Sequence, residues 1–245
     1  MEWLPLTFAF VCIFVAAIVR GFSGFGFSLL AITALSLVYP PAEIVPSIFL
    51  LEIAASIHLL PSIWKDVHWR SLVPLILGCL VATPFGVWAL AKAPATPMQL
   101  ALSIFVLAAT LLLWRGFALK SMPGPIASTA AGAASGLANG AFGIGGPPVV
   151  LFYFSSPAGN SAGRASLIAF FLITDVIGLA NQSVHGLVTW EAAWRALVYL
   201  PALLAGVWIG ARSFKGTDPL KFRKIVLVIL AVLAVLIAVK TVAQM

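Results

Sequence analysis

Five side chains in this sequence carry chemistry into surroundings where polar groups are expensive. Arg20, Ser23 and Asn139 bring hydrogen-bond donors, and Glu52 and Asp175 bring carboxyl groups, yet all five lie in or beside long apolar runs. A guanidinium, a hydroxyl and an amide suit the holding of a small anion. A carboxyl group in such surroundings suits carriage of a proton or pairing with a cation. Arg20, Ser23 and Asn139 also share a context, because each adjoins a glycine cluster: Arg20-Gly21-Phe22-Ser23-Gly24-Phe25-Gly26 and Asn139-Gly140-Ala141-Phe142-Gly143-Ile144-Gly145-Gly146-Pro147-Pro148.

The elements that position these residues follow from composition. Hydrophobic residues make up 62% of the 245 residues and charged ones 9%, with a mean hydropathy of +1.12. A soluble domain has about 25% charged residues, so this is an integral membrane protein. Its 16 prolines and 20 glycines fit kinked helices, and the apolar runs lack the two-residue alternation of an outer-membrane barrel. Cys12 and Cys79 both fall in apolar segments and read as packed thiols rather than a disulfide. The net charge of +7 lies at segment ends, as topology signals do, so nucleic acid is not an expected partner. The first segment carries Glu2 where a signal peptide would be basic, and is read as a retained membrane segment.

Ten apolar segments run along the chain, near 4–19, 25–39, 44–63, 72–91, 98–114, 125–138, 147–156, 165–183, 192–211 and 225–239. They divide into an N-terminal repeat over 1–119, a linker at 120–124 and a C-terminal repeat over 125–245. The first piece before a glycine break, about 16 residues, would reach only roughly 24 Å, less than the hydrocarbon core of about 30 Å. Counting each broken pair as two passes or a re-entrant hairpin gathers Lys65, Arg70, Arg115, Lys120, Arg164, Arg212, Lys215, Lys221, Arg223 and Lys224 on one side. The other side then holds Lys92, Arg195 and Lys240. Counting each pair as one span divides the same charges almost evenly, so the positive-inside rule selects the first count. Both termini are then expected outside the cytoplasm, and each half holds an odd number of passes.

The halves resemble each other. Gly21, Gly24 and Gly26 match Gly140, Gly143 and Gly145 at a constant spacing, Gly86-Val87-Trp88 matches Gly206-Val207-Trp208, and Trp69 and Pro97 match Trp190 and Pro219 with small drift. An odd half repeated must be inverted. The expected fold is therefore an all-α polytopic membrane protein built of two inverted repeats of about five helical segments each, with broken or re-entrant helices at the glycine motifs. Inverted repeats with broken helices place a substrate between them near the midplane in secondary transporters. Helices restarting near Phe27 and Pro148 would present free N–H groups and a positive dipole end to one anion. Glycine at the break lets the backbone bend and approach closely, and proline suits a helix start.

The expected substrate-binding set is Arg20, Gly21, Ser23, Gly24, Gly26, Asn139, Gly140, Gly143, Gly145 and Gly146, with Glu52 and Asp175 as coupling candidates. Alternatives stand beside several of these. Arg20 could snorkel to the surface, Ser23 could cap its own backbone, and Glu52 or Asp175 could pair with Arg20 or cap a neighbouring helix. His58, Asn181, Gln182 and His185 read as structural, Arg164 as a topology charge, and the Gly132, Gly136 and Gly140 stripe as helix packing. There is no His-Glu-x-x-His and no metal cluster, so no metal or cofactor is expected. The sparse titratable set also argues against an intramembrane enzyme.

The segments Gly21–Gly26, Gly140–Pro148 and Gly186-Leu187-Val188-Thr189-Trp190 resemble the TauE/SafE family of sulfite and organosulfonate exporters, over essentially the whole chain. Phe27-Ser28 stand where the commoner pattern has further glycines. The resemblance implies a multi-pass permease of the bacterial inner membrane acting on sulfite, sulfonates or related sulfur anions. The expected partners are that small anion and membrane lipid, with a proton or sodium ion as coupling partner and a homodimer as an open arrangement. A passive anion channel and a carrier for small carboxylates are the alternative functions.

Overall fold

The computed structural model describes residues 3–115, 123–155, 160–213 and 219–243. Its helices are α1 (Trp3–Ser23), α2 (Phe27–Leu35), α3 (Pro41–Leu59), α4 (Trp69–Lys92) and α5 (Ala95–Arg115), then α6 (Pro125–Phe142), α7 (Gly146–Ser155), α8 (Asn160–Val184), α9 (Trp190–Ser213) and α10 (Pro219–Ala243). Two short 3-10 turns, Leu60–Ser62 and Trp64–Asp66, join α3 to α4. Among the described residues seven helices, α1, α3, α4, α5, α8, α9 and α10, are long and apolar enough to cross a membrane. Large apolar side chains such as Val81, Phe85, Ile104 and Val239 are exposed on them. On a soluble protein such a surface would be an interaction patch; here it is the face that lipid covers. Most of the expected linker, 120–122, lies outside the described residues.

The glycine breaks are narrower and less symmetric than the sequence suggests. α1 runs through Arg20 and Gly21 to Ser23, so it is 21 residues long and reaches about 31 Å. The expected 16-residue piece is thus too short. In lipid no water competes for the backbone, so Gly21 keeps its helical hydrogen bonds. The helix ends only where Gly24 (φ 79°) and Gly26 (φ 91°) turn left-handed, a conformation that a Cβ disfavours. In the second half α6 continues through Asn139 and Gly140 and stops at Gly143 (φ 68°), whose N–H bonds the Asn139 carbonyl at 2.8 Å, a left-handed helix end. The restarted helices α2 and α7 are only 9 and 10 residues long. Ala9 of α1 shares a pocket wall with Leu35 and Ile44, so α2 folds back along α1 toward the side where α1 began.

Other glycines serve close packing. A Cβ on Gly132, Gly136 or Gly140 of α6 would lie 2.0, 2.6 or 2.4 Å from the carbonyl oxygens of Leu75, Cys79 and Thr83 in α4. These contacts advance together, so α4 and α6 run side by side in one direction. α1 and α9 do the same: a Cβ at Gly206 or Gly210 would lie 2.6 or 2.1 Å from the carbonyls of Phe14 and Ile18. α3 packs against α8 and α5 against α10, while α3 also meets α9 and α8 meets α4. Advancing each helix by five reproduces these pairings. Substituting Gly132 with valine should force α4 and α6 apart at the expense of backbone packing, costing roughly 1–3 kcal/mol. Thermal melting of the detergent-solubilised protein should show a clear loss of stability.

Candidate functional site

Arg20 sits in the last turn of α1, and its side chain is 0% exposed. The snorkelling alternative therefore fails. Nη1 donates to the Gly24 carbonyl at 2.7 Å, bracing the break, and Nη2 donates to Ser56 Oγ at 2.7 Å. Nη2 also lies 3.2 Å from Glu52 Oε2, an ion pair rather than a directed hydrogen bond, and the guanidinium lies 5.0 Å from the centre of the Phe171 ring. Nε has no partner.

Glu52, on α3, takes both roles that compete with coupling. Besides pairing with Arg20, its Oε1 accepts from Ser28 N–H at 3.2 Å and Ser28 Oγ at 2.7 Å. Ser28 is in the first turn of α2, whose capping residue Gly26 has no side chain to offer. A carboxylate therefore occupies the positive end of α2, where an anion is most stable. The start of α7 is different. Pro147 and Pro148 lack N–H groups, so within Gly146–Pro148 only Gly146 provides a free backbone donor.

Asn139 and Asp175 form the corresponding pair in the second half. Asn139 Nδ2 donates to the Thr174 carbonyl at 3.3 Å and to Asp175 Oδ1 at 3.4 Å. Asp175 is 2% exposed, and its Oδ2 has no hydrogen-bond partner. Arg20 and Asn139 are equivalent in the sequence repeat, and each lies beside the carboxylate of its own half. The first pair carries a guanidinium, the second a neutral amide.

Three members of the two pairs, Glu52, Asn139 and Asp175, line one cavity of about 20 Å³, close to the least volume that admits a water molecule; Arg20 is not in its wall and stands behind Glu52. Gly26, Ser28, Glu52, Asn139, Gly146 and Asp175 line it, with Phe25, Gly145 and Phe171 beside them. Segments of both breaks thus meet at one place, through their downstream ends. The remaining predicted residues lie elsewhere. Gly21 touches α9 and Gly140 touches α4 through the close contacts of their backbones, Gly24 packs on the Arg164 side chain, and Gly143 packs on Ile32 and Val45. The Ser23 hydroxyl lies 2.7 Å from the Val19 carbonyl and 2.8 Å from that of Phe25, and donates to either.

Several participants escaped the sequence reading. Ser28, Ser56 and Phe171 carried no signal beyond their residue type. Arg164, read as a topology charge, donates through Nη2 to the Gly21 carbonyl at 2.9 Å and so ties α8 to the first break. His58 and His185 are exposed, while Gln182 is buried with neither amide atom partnered. A larger groove of about 830 Å³ is lined by Ile57, Trp64, Lys65 and Leu172 among others. Leu172 in its wall directly follows Phe171, which lines the central cavity.

A family model described as "Sulfite exporter TauE/SafE" matches residues 9–237. Among curated proteins, the chain is 24% identical over 217 residues to a protein of Cupriavidus necator (strain H16) named "Probable sulfite/organosulfonate exporter TauE", covering 84% of this chain and 82% of that one. No solved structure matches the chain.

Proposed function

The chain belongs to the TauE/SafE sulfite exporter family, and from that premise we propose that it carries sulfite, an organosulfonate or a related sulfur oxyanion across the bacterial inner membrane by alternating access, in the direction of export. It is a multi-pass membrane transporter and not an enzyme. The observation that best supports this reading is the cavity beside the buried Arg20 and Glu52 pair, lined by parts of both glycine breaks. A guanidinium is a strong, planar oxyanion donor, and an arriving anion would compete with Glu52 for it.

The small volume of the cavity favours an occluded state of a carrier over an open pore. In the proposed cycle, two inverted halves rock about the α3 and α8 contact and widen the cavity first to one side and then to the other. The groove beside Lys65 is the proposed cytoplasmic vestibule, since Lys65, Arg70, Arg115 and Arg212 fall on that side by the positive-inside rule. An inside-negative potential favours efflux of a monoanion moving alone by about 2.3 kcal/mol per 100 mV. Counterflow in proteoliposomes tests the cycle. Unlabelled sulfite on the far side should accelerate entry of labelled sulfite, whereas flux that rises linearly without trans-stimulation would identify a channel.

A further inference from the structure

The two halves meet the central cavity with unequal charge. Arg20 gives Glu52 a cation and Ser28 gives it two hydrogen bonds. Asp175, at the equivalent place, receives one long bond from a neutral amide and leaves Oδ2 unpartnered against the cavity. Among the described residues no cation lies within ion-pair distance of it. The charges that act on Asp175 are Glu52 from α3 and Arg20 from α1; the carboxyl in turn acts on the Cys79 thiol of α4, which is neutral and bonded to Thr83. Asn139 is the polar neighbour from α6, and α7 contributes only Gly146, Pro147 and Val150 to the same wall.

Glu52, Asp175 and Arg20 sum to a charge of minus one; the other nearby cation, Arg164 of α8, acts on Arg20, is held at the Gly21 carbonyl and is not in the cavity wall. A transported anion would bring a second negative charge into a buried site, where like charges repel strongly. One proton on Asp175 removes that obstacle. We propose that Asp175 is the group that takes up a proton when the anion binds, so that each anion moves together with one proton, while Glu52 remains the partner of Arg20. This rests on the anion-carrier reading above and adds to it the coupling ion, its carrier residue and the sign of the linkage. Proton and anion bind cooperatively here, so they travel in the same direction and a monoanion crosses without net charge. Flux then follows the combined substrate and proton gradients rather than the membrane potential, so export proceeds where the outward gradient of the anion exceeds the inward gradient of protons.

The test uses ethanesulfonate, whose single charge does not titrate, and measures its binding to the full-length purified protein by calorimetry from pH 6 to 10 in buffers of different ionisation enthalpy. For the wild type the expected result is uptake approaching one proton per sulfonate at the alkaline end, with affinity falling about tenfold per pH unit there. Asp175→Asn, which imitates the protonated group, should bind with no proton uptake and with affinity independent of pH, and Asp175→Glu should restore the uptake. Wild-type binding without proton uptake, a sodium requirement in its place, proton uptake that persists in D175N, or loss of binding in D175N at every pH would each overturn the proposal. A wild-type protein that binds neither ethanesulfonate nor sulfite at any pH would instead overturn the anion-carrier reading, and this proposal with it.

Discussion

Replacing Arg20 with glutamine should abolish anion flux and lower stability by about 3–5 kcal/mol. The loss has two sources that can be separated. Glutamine leaves Glu52 buried with no cation, and it removes the donors that hold the Gly24 carbonyl and Ser56 Oγ. The double variant Arg20→Gln with Glu52→Gln removes the stranded charge, so it should recover most of the stability. Flux should remain absent, because the oxyanion donor is still missing. Lysine at position 20 keeps the charge but presents one point donor group where the guanidinium spans three partners; it should fold better than glutamine and carry anion poorly. Thermal melting and proteoliposome flux on the same preparations separate the two effects. Full flux in any folded variant lacking the Arg20 guanidinium would remove Arg20 from the site.

Gly146→Leu should give the second large effect, with the opposite balance. A Cβ at Gly146 would meet nothing nearer than the Phe171 ring at 3.6 Å, an ordinary contact. The leucine side chain extends into a cavity of only about 20 Å³ and fills the place where both breaks meet. Overpacking costs about 1–3 kcal/mol, so the variant should still fold, while flux should fall by about a hundredfold or more, the scale of effect that misplacing groups at a site produces. Gly145 offers the contrast one residue away. A Cβ there would lie 2.9 Å from Ser135 Oγ and 3.0 Å from Asn139 Cβ, so even Gly145→Ala should register as lost stability. Unimpaired transport by folded G146L would place the anion path elsewhere.

The helices were legible because their signals are local. Hydropathy marked ten segments, and among the described residues ten α-helices stand close to those positions. Glycine marked the breaks, but residue type alone does not reveal why a glycine is present. Gly24, Gly26 and Gly143 adopt left-handed backbone, whereas Gly21 and Gly140 are helical and sit where a neighbouring backbone leaves no room for a Cβ. Both kinds occur in one cluster, so the break looked wider than it is and α1 looked shorter. The partners of Arg20 were less accessible still. Glu52 is 32 positions away in sequence, and its identity as partner depends on two helices that are not packed against each other reaching one depth through long side chains. Asp175 and Glu52 could be recognised as costly carboxylates in apolar sequence, but not that one has a cation and the other an amide. Ser28, Ser56 and Phe171 became visible only as neighbours, and Arg164 looked like the charged end of a segment because the break it holds is 143 residues distant from it.

The proposed path carries a sulfur oxyanion through the cavity between the two breaks. It is tested most directly by initial rates of flux in proteoliposomes for sulfite, ethanesulfonate, thiosulfate and acetate, measured side by side for wild type and G146L. The expected result is saturable flux of at least one of the three sulfur anions by the wild type, little flux of acetate, and loss of the sulfur-anion flux in G146L that still folds. Flux of acetate with none of the sulfur anions, or equal sulfur-anion flux in both proteins, would contradict it.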